Sequence, residues 1–200
     1  RLRYACFLKC ESVERDADRL QFAVNVKNLT GHKFPSGYPS RRAWLNVEVR
    51  AGNETLFASG AWQRESGGLT GIDDELRIPH VDVVERADQV VVYEMVALDD
   101  DGAPTTSLID MARMAKDNRL LPRGWRRDGP HADETAPVGV GDDADFQGGA
   151  DTVRYRVPLP DEADQLVIVV RLLYQAIPPA WAAPLAASTS AEAAQFLALY

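Results

Sequence analysis

The chain has 200 residues and a mass of 22.0 kDa, enough for one generous domain. Its hydrophobic share of 46% and charged share of 26% are those of a globular protein. A net charge of −8, from 30 acidic and 22 basic residues, argues against nucleic acid as the main partner, because phosphate binding needs a basic face. No apolar run approaches the roughly 18 residues of a membrane span. The chain begins at Arg1 with neither Met nor a signal peptide, as expected of a processed product, a fragment or the ordered part of something longer.

Period-two alternation dominates from the start. Leu2, Tyr4, Cys6, Leu8 and Cys10 alternate with Arg1, Arg3, Ala5, Phe7, Lys9 and Glu11. On a strand, Cys6 and Cys10 face one side on the order of 13 Å apart, beyond the about 7 Å a disulfide allows. They read as buried free thiols, with a Cys-x-x-x-Cys metal or redox pair on a turn as the alternative. Leu20, Phe22, Val24 and Val26 form the next alternating run, and residues 43–62 read as a hairpin around Gly52-Asn53. Residues 89–98 predict another strand, as do 152–157. The run 165–177 is apolar on both faces, as in a central strand covered on both sides. Helix is expected at 107–116. A second helix is expected near the C-terminus, where Thr189 and Glu192 make a capping box and Phe196, Leu199 and Tyr200 turn inward. The sum is an all-β, antiparallel β-sandwich of about seven strands, immunoglobulin-like. It forms one domain over 1–200. The sandwich occupies 1–177, with long loops at 63–82 and 117–151, and the tail and helix occupy 178–200.

Function usually sits on such loops. In residues 28–44, Pro35 and Pro39 restrict the backbone while Gly31 and Gly37 free it, so a stiff loop presents His32, Lys33, Tyr38, Arg41 and Arg42. Alternation puts Arg42 on the face of Trp44 and Arg41 on that of Leu45. Two readings stand: an arginine pinned to a loop aspartate beside a hydrogen-bonding histidine, or His32 as ligand to a metal or haem iron. Asp73, Asp74, Glu75 and His80 form a second cluster of hard oxygens and one nitrogen, with a solvated acidic turn as the alternative reading. Asp142, Asp143, Asp145 and Asp151, with interspersed glycines, resemble a calcium loop in composition but lack the EF-hand pattern; a solvated acidic turn is the alternative. His131 reads as a surface loop residue. Asn28-Leu29-Thr30 and Asn53-Glu54-Thr55 match glycosylation sequons. No Gly-x-Ser-x-Gly, His-Glu-x-x-His, P-loop or dinucleotide fingerprint occurs, which leaves hydrolase and transferase chemistry without support.

"VKNLTGHKFPSGYPSRRAWLNVEV" (26–49) resembles a segment of bacterial multihaem cytochrome c family proteins, where it lies in a strand-rich region after the haem-binding part. "IPHVDVVERADQVVVYEMV", "KDNRLLPRGW", "DADFQGGADTVRYRV" and "LLYQAIPPAW" are similar to later family blocks in the same order, across about residues 20 to 200. The resemblance implies a non-catalytic domain or subunit of a periplasmic or extracellular multihaem cytochrome, acting in electron transfer. It implies His32, His80, Arg41 and Arg42 as the residues facing haem. The family's Cys-x-x-Cys-His sites are absent, so the haem belongs to an upstream segment or a partner chain. Two further readings remain. One is a calcium-stabilised module docking protein or glycan through Trp44, Trp62 or Trp125. The other is a copper or iron redox protein built on His32 and His80.

Overall fold

The computed structural model describes residues 4–16, 18–160 and 165–200. Strands β1 (Cys6–Arg15), β2 (Arg19–Asn28), β3 (Arg42–Ala51), β4 (Glu54–Ser59), β5 (Val83–Val84), β6 (Val92–Tyr93) and β7 (Met95–Leu98) come first. They are followed by β8 (Pro104–Thr105), β9 (Arg113–Asp117), helix α1 (Ala132–Thr135), β10 (Ala150–Pro158), β11 (Leu166–Gln175), α2 (Pro179–Ala186) and α3 (Ala191–Leu197). One sheet runs β1-β2-β10-β5 and the other β11-β3-β4, with β6 continuing along β3 beside β4. A small third sheet runs β8-β7-β9. All pairings are antiparallel except β10 with β5. The protein is an all-β sandwich, with three short helices among the described residues.

Alternation builds the core. Leu20, Phe22, Val24 and Val26 of β2 and Val153, Tyr155 and Val157 of β10 face Ala43, Leu45, Val47 and Val49 of β3. The Phe22 and Tyr155 rings stack with centroids 5.0 Å apart. The opposite face of β3 is covered as well: Trp44 packs with Leu69, Ile78, Val90 and Val92, contributed by the long segment after β4. Gly60 lets the chain leave β4 for that cover. It has φ +70°, and a Cβ there would run into the Leu45 carbonyl.

Five expectations are corrected. Residues 89–98 are not one strand: the chain changes sheet at Glu94, giving β6 in the main sheet and β7 in the small one. Residues 107–116 contain no helix; Arg113–Asp117 pairs with β7 instead, a long-range contact that overrides local pattern. Strand β11 is an edge rather than a central strand, and Val167 is 52% exposed. Its apolar outer edge meets β1 across an open groove of about 520 Å³ lined by Cys6, Phe7, Leu8, Phe34, Leu172 and Tyr174. At the C-terminus the cap is Ser190, whose hydroxyl accepts from the Ala193 N–H at 3.1 Å. Ala193 is the buried residue of α3, while Leu199 is 84% exposed. Both cysteines are free, but only Cys6 is half-buried, with burial pushing its thiol up to about 12; Cys10 is exposed.

Leu45→Ala is expected to cost about 2–5 kcal/mol of stability in urea titration. Val167→Ala, on the exposed edge, should change it by less than about 0.5 kcal/mol.

Candidate functional site

The loop between β2 and β3 is fastened by one side chain. Asn28 continues the inward series of β2 and is fully buried. Its Nδ2 lies 2.8 Å from the His32 carbonyl and 3.1 Å from those of Leu120 and Leu121. Its Oδ1 accepts from the Thr30 N–H at 2.9 Å and the Thr30 hydroxyl at 2.7 Å. Phe34 and Leu120 exchange both backbone hydrogen bonds. Lys33 Nζ reaches Asp117 Oδ2 at 2.7 Å, and Arg119 grips the same carboxylate. Burial alone would raise the Asp117 pKa; the Arg119 and Lys33 hydrogen bonds hold it below the usual carboxylate value. Further along, Ser40 donates to the Ala176 carbonyl and Tyr38 packs edge-on against Trp181.

His32 itself is exposed on this anchored loop. Its Nδ1 is 3.0 Å from the Lys33 carbonyl. A carbonyl only accepts, so Nδ1 carries the proton, and Nε2 has no hydrogen-bond partner among the described residues. His80 has the opposite arrangement. Asn118 Nδ2 donates to the Val92 carbonyl and to His80 Nδ1, while Asn118 Oδ1 accepts from the Glu94 N–H, which fixes the amide orientation. His80 Nε2–H therefore donates to Asp143 Oδ2 at 2.9 Å, with the imidazole only 4% exposed and set edge-on to Phe146. Both ring nitrogens of His80 are engaged inside the protein.

The arginines also separate. Arg42 is buried, 3.0 Å from Glu75 Oε2, with further bonds to Gln175 Oε1 and the Gly67 carbonyl, and its guanidinium lies over the Trp44 ring. The loop partner is thus a glutamate, and Trp44 is buried rather than a docking residue. Arg41 is half-buried, with Nη1 donating to the Ser36 carbonyl. The expected cluster of Asp73, Asp74, Glu75 and His80 does not assemble: Asp74 pairs with Arg77 and Glu75 with Arg42.

The acidic loop gathers differently from its sequence order. Asp143 and Asp145 meet Asp82, which precedes β5, with one oxygen of each within 4.8 Å of the others. Arg154 bridges Asp82 and Asp145. Asp142 is exposed and does not join. Asp151 points into the sandwich, where the Tyr93 hydroxyl donates to its Oδ2 at 2.7 Å. His131 is exposed beside Glu134. Asn28 and Asp151 carried a readable signal, since each is a polar residue in the inward register of an alternating strand. Asp82 carried none; it is brought in by the parallel pairing of β5 with β10.

No protein-family model and no curated protein sequence matches the chain. Among solved structures, it is similar to the crystal structure of a penta-haem cytochrome c552 from Thermochromatium tepidum, with a TM-score of 0.54 and 14% identity. The match covers 96% of this chain and 37% of that one, so the chain spans little more than a third of that cytochrome. At this identity the likeness is one of fold.

Burial pushes the Asp151 carboxyl up from 3.8 to about 7; the Tyr93 hydrogen bond opposes the rise and the charges of Asp143 and Asp145 add to it. The folded chain keeps a proton that the unfolded chain loses near 3.8. Stability contributed by this group therefore falls as pH rises through the window between those values, by at most about 1.4 kcal/mol per pH unit. Asp151→Asn should flatten that slope relative to the parent protein in denaturant titrations across pH 4 to 8.

Proposed function

We propose that this chain is a non-catalytic β-sandwich domain of a multihaem c-type cytochrome in periplasmic or extracellular electron transfer. In this reading His32 is an axial ligand to a haem carried by an adjoining segment or partner chain. The observation that carries it is the exposed His32, whose Nδ1 is committed to a backbone carbonyl and whose Nε2 is free, on a loop pinned to the body of the fold. The residues fit axial ligation but not covalent attachment. Cys6 and Cys10 lie along one strand and no Cys-x-x-Cys-His occurs. When bound, haem supplies one-electron chemistry, and the domain's part is to hold the imidazole and shield the site. Arg41 is proposed to pair with a propionate; Arg42 is already neutralised by Glu75. The apolar groove between β1 and β11 includes Phe34, two residues from His32, and offers an apolar surface next to the ligand loop. The fold likeness to a penta-haem cytochrome supports the same reading.

A second reading, a calcium-stabilised binding module, is favoured by the convergence of Asp82, Asp143 and Asp145. The two separate experimentally. In the assembly purified gently from its native envelope, the first predicts stoichiometric low-spin haem, and His32→Ala should turn one haem high-spin while His80→Ala leaves the spectrum unchanged. A colourless preparation, or a spectrum indifferent to His32→Ala, would refute it. The second predicts a melting temperature that rises by several degrees with calcium and falls with chelator; no shift in either direction excludes it.

A further inference from the structure

The hydrogen bonds around His32 form a closed circuit. The Nδ1–H faces the Lys33 carbonyl at 3.0 Å and the Thr30 hydroxyl oxygen at 3.3 Å. The Thr30 hydroxyl lies 2.7 Å from Asn28 Oδ1, its closest acceptor. The Asn28 amide returns a hydrogen bond to the His32 carbonyl at 2.8 Å. An imidazole whose distal N–H meets fixed acceptors is held in one tautomer and one ring orientation. Asn28 is fully buried, and its Nδ2 also reaches two carbonyls of the 117–121 segment. The orientation of the histidine is thus referred to the body of the sandwich.

We propose that Asn28 and Thr30 are positioning residues that make His32 a ligand, by holding the imidazole where its Nδ1–H meets the Lys33 carbonyl and its Nε2 is left for the iron. This inference rests on the reading of His32 as an axial ligand. It goes beyond it by assigning the two residues that hold the ring in its binding orientation. Neither touches the iron in this arrangement; both act through the imidazole.

The test uses Thr30→Val, which keeps the shape of the half-buried side chain and removes the hydroxyl. Thr30→Ser is the rescue, and circular dichroism with thermal melting confirms that each variant is folded. Nitrogen-15 NMR of the histidine ring reads the tautomer with no haem present. Affinity is read by titrating a soluble c-type haem peptide with one open axial position and following conversion to the low-spin spectrum. The parent protein should hold the Nδ1–H form. Thr30→Val should let the ring turn away from the Lys33 carbonyl, admit the Nε2–H form and bind the haem peptide about tenfold more weakly, and Thr30→Ser should restore both. Parent-like tautomer and affinity in Thr30→Val, with binding still abolished by His32→Ala, would overturn the positioning role and leave axial ligation standing. Haem-peptide binding that is absent from the parent, or unaffected by His32→Ala, would overturn the ligation reading and this inference with it.

Discussion

Strand β3 loses solvent on both faces, and each face demands a different cover. Inward, Ala43, Leu45, Val47 and Val49 meet the second sheet of the sandwich. Outward, Trp44 and Leu173 of β11 need an apolar lid, which the segment after β4 supplies with Leu69, Ile78 and Val90. That lid passes over Arg42, so the arginine is cut off from water and takes Glu75 from the same segment as its counter-ion. The lid then runs on to His80 and Asp82 and places them at the edge of the other sheet, where β5 joins β10. The acidic assembly around Asp143 thus follows from the need to dry the back of one strand.

The two histidines show how position in the fold decides chemistry. Each ring has one nitrogen fixed by a partner that permits a single protonation pattern. For His80, both nitrogens are consumed by Asn118 and Asp143, and the residue joins the lid to the acidic loop. For His32, the fixed nitrogen faces the backbone and the other has no partner among the described residues. Count and sequence context treat the two alike; hydrogen-bond bookkeeping does not.

Local pattern made much of the fold legible. The runs 20–26 and 152–157 alternate because one face of each is buried, and both are strands, while 43–62 is the hairpin of β3 and β4. Where local pattern failed, pairing between distant segments had decided the outcome. Residues 113–117 form a strand because β7 offers them an edge, and 89–98 divides at Glu94, whose carboxylate meets Lys116 from β9. The apolar run of β11 suggested cover on both sides, yet the strand borders an open groove. In the loop of residues 28–44, dense proline and glycine marked stiffness correctly in kind. Its main fastener, Asn28, depends on carbonyls some ninety residues away.

The sequence Asn28-Leu29-Thr30 is a glycosylation acceptor by pattern, and the Asn28 amide nitrogen is the atom a sugar would occupy. In the folded protein that nitrogen is enclosed and its hydrogens are spoken for. Oligosaccharide and native loop are therefore mutually exclusive. A eukaryotic secretory pathway, which attaches glycans while the chain is still emerging, would be placing a bulky hydrophilic group where the fold needs its anchor. Hosts without that machinery, or a chain folded before it meets the transferase, avoid the conflict.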